Sequence, residues 1–174
     1  MEYMAIFMKK LFVLWVGIFL FFDGCATRRY EAGEPKLITL KTPKLKFSDT
    51  GYIRSAGEAV EMELFSAGQA AGRIEINHLI CVDDEGCLSK SAFNTRYLNK
   101  HYPDEIMQHI LQGKPIFKLR SLRRTKTGFE QYIKNEEVDI VYDVDGGRVY
   151  FKDRRNGILI KIREISNRQY IEKR

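Results

Sequence analysis

From residue 36 onward the apolar residues recur at every second position, and this period of two restricts what the chain can fold into more than any other feature. Val60, Met62 and Leu64 alternate with Glu61, Glu63 and Phe65, and further on Ile74, Ile76, His78 and Ile80 alternate with Glu75, Asn77, Leu79 and Cys81. In an extended chain successive side chains point to opposite faces, so such a segment buries one face and leaves the other to solvent. Both stretches are read as strands joined through Ser66-Ala67-Gly68, with weaker strand candidates before them at 37–40 and 45–47. His78 falls on the apolar face of its stretch, where a half-buried, hydrogen-bonded histidine is expected rather than a catalytic one.

The period changes in the middle of the chain. Residues 91–98 place Phe93, Tyr97 and Leu98 at helical spacing, and after Pro103 residues 104–111 put Ile106, Met107, Ile110 and Leu111 on one side, with Asp104 as the expected N-cap. Gly113 and Pro115 end that helix. Strands return at 129–133, 138–144, 148–152 and 158–165, connected by Asn135-Glu136-Glu137, Asp145-Gly146-Gly147 and Arg154-Arg155-Asn156-Gly157, the last two being strong hairpin signals. Strands, then short helices, then a meander of strands imply an α+β domain. The expected form is a strongly curved antiparallel sheet, an open half-barrel, with one or two short helices on its concave side.

The amino-terminal segment has a different character. Met8-Lys9-Lys10 precedes an apolar run at 11–22, and Asp23-Gly24-Cys25-Ala26-Thr27 follows. A charged start, a short apolar stretch and a small-residue cut site are the parts of an export signal. Twelve residues are fewer than the roughly 20 a membrane span needs. Phe22-Asp23-Gly24-Cys25 resembles the lipobox of bacterial lipoproteins, in which the cysteine takes lipid and becomes the first residue after cleavage. That resemblance implies residues 1–24 as a lipoprotein signal and Cys25 as the lipid attachment site. The polar stretch 25–35, without apolar periodicity, reads as a tether, 36–165 as one β-rich domain and the polar 166–174 as a tail. Met8 is a plausible alternative start. Ala26, rather than an Asp, after the cysteine resembles the sorting pattern of an outer-membrane passenger facing the periplasm.

With Cys25 committed to lipid, Cys81 and Cys87 remain as an even pair in a compartment that permits disulfides. Five residues with a turn-like composition separate them, so a staple across a hairpin or a strand-to-helix corner is expected. Two free thiols, or a metal site with His78, are the alternatives; a metal requires about four ligands, and His101 and His109 lie in another segment. No metal and no cofactor are expected.

Motifs for catalysis are missing from the sequence. It has no Gly-x-Ser-x-Gly elbow, no His-Glu-x-x-His, no P-loop and no glycine-rich dinucleotide turn. Asp83-Asp84-Glu85 and Asp143-Val144-Asp145-Gly146-Gly147 contain acids but miss the spacing of a calcium loop, and read as turns. The chain is therefore expected not to be an enzyme. Its net charge of +6 includes a basic patch of Lys114, Lys118, Arg120, Arg123, Arg124 and Lys126, interleaved with Ile116, Phe117, Leu119 and Leu122. The patch reads as a solvated loop or guarded edge strand, or as a surface for anionic headgroups or an acidic partner. Aromatic residues are too sparse in it for nucleic acid.

The layout as a whole is similar to the LolA/LolB family of lipoprotein carriers and outer-membrane receptors. The matching pieces are Cys25-Ala26, the strand pair 60–64 and 74–80, the segment Ile110-Leu111-Gln112-Gly113-Lys114-Pro115, and the closing Ile158-Leu159-Ile160-Lys161-Ile162. The resemblance implies an apolar concave face of Val60, Met62, Leu64, Ile74, Ile76, Ile140, Tyr142, Ile158, Ile160 and Ile162, lidded by Ile106, Met107 and Ile110, that binds acyl chains or other lipoproteins. The mature chain departs from the family in lacking tryptophan and in carrying the cysteine pair. The competing expectation is a structural subunit of a cell-envelope assembly, in which the same residues are simply a core.

Overall fold

The computed structural model describes residues 33–83 and 85–165. The expected signal segment, Cys25, the tether up to residue 32 and the tail 166–174 lie outside the described residues.

Six strands come first: β1 (Pro35–Lys41), β2 (Lys46–Ala56), β3 (Ala59–Ser66), β4 (Gln69–Ile76), β5 (Leu79–Val82) and β6 (Gly86–Ser89). Two short helices follow, α1 (Lys90–Tyr97) and α2 (Ile106–Gln112). The last five strands are β7 (Leu122–Arg124), β8 (Gly128–Lys134), β9 (Asp139–Asp145), β10 (Arg148–Asp153) and β11 (Ile158–Glu164). All eleven form one antiparallel sheet in the order β6-β5-β4-β3-β2-β1-β11-β10-β9-β8-β7. Two meanders thus meet at the β1–β11 pair, where Ile38 lies opposite Ile162 and Leu40 opposite Ile160. The sheet is not closed: β6 and β7 are its two edges, and the helical segment carries the chain from one edge to the other.

The period of two becomes the two faces of this sheet. One face carries an apolar stripe across the ladder, with Val60 opposite Ile76, Met62 opposite Ile74, and Phe151 opposite both Tyr142 and Ile160. These side chains belong to one buried cluster, which Ile106, Met107 and Ile110 of α2 and Phe93 and Tyr97 of α1 complete. Burying a side chain of this size contributes roughly 1.5–3 kcal/mol. The opposite face of β2–β3 is charged: the Arg54 guanidinium lies 2.8 Å from Glu61 and 2.6 Å from Glu63. Its hydrogen bond to Glu63, and then the one to Glu61, hold Arg54 above its ordinary pKa against the opposing effect of burial.

The helices are held at both ends of their segment. Ser89 caps α1, its Oγ accepting from Ala92 N at 3.1 Å. α2 is preceded by Glu105 rather than the expected Asp104, and no side chain caps it. It ends as expected at Gly113, whose φ of +62° glycine adopts without a Cβ penalty. α2 packs against β3 and also against β10. Gln112 donates to Gly57 O at 3.1 Å and Gln108 to Glu58 O at 2.8 Å, tying α2 to the β2–β3 turn. From the other half of the sheet, the Tyr142 hydroxyl donates to Lys114 O at 3.0 Å, just beyond the helix.

One strand expectation is corrected. The stretch from Ile74 to Ile80 is two strands, with a turn at Asn77-His78, where Leu79 N donates to Asn77 Oδ1 at 3.1 Å. His78 is accordingly exposed on a turn, not half-buried on a strand face. Ile76 pairs with Ile80 across the ladder, so both isoleucines share a face and the alternation continues through the turn without a break.

Candidate functional site

The thirteen residues expected to form the apolar face and its lid are brought together. Val60, Met62, Leu64, Ile74, Ile76, Ile106, Met107, Ile110, Ile140, Tyr142, Ile158, Ile160 and Ile162 are all buried in one apolar cluster. Tyr142 is not purely apolar in its role, because its hydroxyl serves the end of α2. Its burial pushes its pKa well above the ordinary tyrosine value.

At one end of the cluster the sheet and α1 leave a cleft of about 210 Å³. Leu64 and Ile74 form its floor, Leu45 from the β1–β2 turn and Val82 from β5 its sides, and Phe93 and Tyr97 of α1 its roof. The two rings lie 4.7 Å apart between centroids. The rim is charged, with Lys44, Arg73, Asp83 and Glu85 around the opening. Glu85 fixes that rim to the roof, accepting from the Tyr97 hydroxyl and lying 2.6 Å from Arg96. Burial, and then the bond to Glu85, raise the Tyr97 pKa, so at neutral pH the phenol is a neutral donor. Drug-sized ligands occupy pockets of about 300–1,000 Å³, so this cleft suits a short apolar segment with a polar head at the rim. A second cleft of about 400 Å³ lies across the charged face, between Leu37, Thr39, Asp143, Arg148, Tyr150, Lys161 and Arg163. Its lining is mixed and partly internally paired: Arg148 sits 3.7 Å from Asp143.

Cys81 and Cys87 form the expected disulfide, across the β5–β6 hairpin and in direct register. Their sulfurs are thereby spent, which removes the thiolates a metal site would need. Among the described residues no three His, Cys, Asp or Glu side chains gather to hold a metal, and no helix is long and apolar enough to cross a membrane.

The basic patch is split by the structure. Lys114 pairs with Glu58 at 3.2 Å and Arg123 with Glu130. Lys118 and Arg120 flank Leu119 on a tight turn, Arg124 lies on β7 and Lys126 in the β7–β8 turn; all four are exposed and none has an ion pair among the described residues. The tight turn is unusual. Phe117, Lys118 and Leu119 have φ of 47°, 52° and 65°, and Ser121 has 53°. For residues with a Cβ the left-handed region costs about 1–2 kcal/mol each, so this backbone must be held from outside. Gln131 holds it: fully buried, it accepts from Ile116 N at 2.8 Å and donates to Ile116 O at 3.0 Å and Arg120 O at 2.8 Å.

A second buried polar group organises the far end of β10. Asp153 accepts from the Tyr102 hydroxyl at 2.7 Å, from Asn156 Nδ2 at 2.6 Å and from the backbone N–H of Asp139, Arg155 and Asn156 at 3.2, 3.0 and 3.2 Å. Neither Gln131 nor Asp153 stands among the sequence-derived candidates. A signal for both exists: Phe129, Gln131, Ile133 and Val149, Phe151, Asp153 each put a polar residue on the inward parity of an otherwise apolar stripe.

Comparison with protein families, with curated proteins and with solved structures finds no match for this chain.

Proposed function

We propose that this protein is a non-enzymatic lipoprotein, anchored through lipid on Cys25 to the periplasmic face of the outer membrane, that binds acyl chains in the manner of the LolA/LolB half-barrels. The observation that carries the reading is the cleft at the end of the apolar cluster, with an apolar floor and roof and a charged rim. An acyl tail would lie against Leu64, Ile74 and Phe93, while its head group stays at Arg73 and Lys44. The thirteen face and lid residues are then the wall behind the site rather than its lining, apart from Leu64 and Ile74.

The half-barrel form belongs to the same proposal. α2 packs against β3 and β10, which are separated in the sheet by β2, β1 and β11. At about 4.8 Å between strands a flat sheet would put them about 19 Å apart, wider than a helix of about 10–12 Å diameter. A sheet curled around α2 reconciles the two contacts.

Displacement of a fluorescent fatty acid tests the reading. The wild type binds the probe, and Ala71→Trp, which fills the cleft from an exposed position on β4, abolishes binding while leaving the fold intact. Equal binding by both proteins, or none by either, rejects the cleft. Attachment is tested separately: Cys25→Ser yields uncut precursor or protein released from the membrane.

The competing reading, a subunit of an envelope assembly, is favoured by the complete burial of Val60, Met62, Ile76, Ile106 and Ile110, as in an ordinary core. Cross-linking in intact cells separates the two. A carrier captures many lipoproteins; a subunit captures one complex.

A further inference from the structure

We infer that the cleft on the charged face of the sheet binds a sugar acid, a hydroxylated ring carrying one phosphate or carboxylate group. Lys161 and Arg163 hold the anion, and Asp143 and Arg148 hold the hydroxyls. The cleft measures about 400 Å³, within the range of pockets that take small ligands. It lies over β1, β11, β10 and β9, in the middle of the sheet, on the face opposite the apolar cluster. Elsewhere this face neutralises itself across the ladder, as Arg54 does with Glu61 and Glu63. Lys161 and Arg163 are different. Lys161 lies opposite Thr39 on one side and Tyr150 on the other, and Arg163 lies opposite Leu37. No carboxylate meets either from across the ladder, and neither has an ion pair among the described residues. Lysine on a sheet edge guards against unwanted pairing, but β11 has a strand on each side and needs no guard.

The two cations stand two residues apart on one strand, so both project from the same face, about 7 Å apart along it. Their long side chains can share one oxyanion at that spacing. The Tyr150 ring steadies the lysine, whose Nζ lies 5.4 Å from the ring centroid. Beside it the Thr39 hydroxyl, 3.0 Å from that of Ser48, also lines the cleft. The far end has the opposite chemistry. Asp143, opposite Tyr150 on the next strand, only accepts hydrogen bonds once ionised. Arg148, which only donates, lies 3.7 Å from Asp143 and 3.2 Å from Asp145. Partial burial raises the Asp143 pKa against the pull of Arg148, so this carboxylate is short of solvent. A carboxylate there repels a simple oxyanion but accepts from a ligand hydroxyl, and two unmatched cations would be idle against an uncharged sugar. Asp143 and Lys161 are two strands apart, about 10 Å, so the cleft fits a ligand acidic at one end and hydroxylated at the other. The inference goes beyond the proposed acyl site and does not use it, since the two clefts lie on opposite faces.

Isothermal titration calorimetry on the intact protein, in a polyoxyethylene detergent that carries no sugar, provides the test. The probes are glucose phosphate, glucuronate, glucose and inorganic phosphate. At least one of the first two should bind saturably, about tenfold or more tighter than glucose or inorganic phosphate. Which of them binds separates a phosphate from a carboxylate ligand. Lys161→Gln with Arg163→Gln should weaken that binding by about tenfold or more, and Asp143→Ala should erase the preference over inorganic phosphate. The inference is overturned by equal affinity for the sugar acids and inorganic phosphate, by no binding of either sugar acid, or by binding that survives the double substitution. Lys161 and Arg163 are exposed, so the double variant should fold, and an unchanged thermal unfolding midpoint verifies this. Fatty-acid displacement, which these substitutions leave unchanged, keeps the outcome separate from that of the acyl cleft.

Discussion

The two edges of the sheet are finished in opposite ways. At one edge the four-residue strands β5 and β6 are stapled by Cys81–Cys87 and lean on α1. At the other, the three-residue β7 and the left-handed turn before it are held by the hydrogen bonds of one buried glutamine. Short strands are a common way to blunt an edge against unwanted pairing, but they bury little and need support from elsewhere. A covalent staple acts largely by restricting the unfolded chain. A buried amide acts in the folded state alone, and leaves orphaned backbone groups when it is removed. The stapled edge should therefore tolerate change by degrees, and the clamped edge should fail locally and abruptly.

The largest expected effect is at the clamp. Gln131→Ala leaves Ile116 N and O and Arg120 O without their partner and should cost about 3 kcal/mol in denaturant unfolding. Trypsin should then cut after Lys118 or Arg120 in the native protein. A loss below about 1 kcal/mol with no new cleavage would show that Gln131 does not hold the turn.

Next comes pH. Tyr102 and Tyr142 are buried, and burial raises both pKa values above the ordinary 10, in Tyr102 with a further rise from its bond to Asp153. The folded protein therefore keeps protons that the unfolded chain releases above about pH 10. Their stabilisation is complete below that pH and is lost as pH rises, by about 1.4 kcal/mol per unit for each tyrosine. Tyr102→Phe with Tyr142→Phe should flatten this alkaline decline, as read from unfolding midpoints between pH 9 and 11; an undiminished slope would point to other groups.

Replacing both cysteines by serine opens a loop of few residues, for which chain-entropy reasoning gives about 2 kcal/mol. Hydrogen exchange should rise along β5 and β6 and stay unchanged in β8. A rise spread across the whole sheet would mean that the edge is not a separable unit. The smallest effect is Leu119→Gly. Glycine accepts the left-handed φ, so thermal unfolding should show a gain of up to about 1 kcal/mol.

The same contrast explains what could be read from the sequence. The disulfide was legible because, with Cys25 expected to carry lipid, Cys81 and Cys87 remain as an even pair around a turn-like stretch. Strands β1, β3 and β8 to β11 and both helices follow from apolar spacing, and Gly113, Gly146 and Gly147 mark where the chain turns. The Asn77-His78 turn was hidden because Ile76 and Ile80 keep the same parity across it. β6 and β7 are too short to show a period. The left-handed turn could not be inferred from Phe117-Lys118-Leu119, since none of these residues prefers that conformation. Its cause is Gln131, distant in sequence and brought close by the β7–β8 ladder, where Leu122 lies opposite Gln131. The cleft likewise arises from tertiary placement, α1 roofing a floor made by β3 and β4.

Photo-crosslinking of a diazirine fatty acid to the intact protein, with the adducts mapped by peptide mass spectrometry, decides whether the proposed acyl site is that cleft. Adducts are expected on the peptides carrying Leu45, Val82, Phe93 and Tyr97, competed away by unlabelled fatty acid. Adducts confined to the charged face around Tyr150 and Lys161, or labelling that unlabelled fatty acid does not reduce, would contradict it.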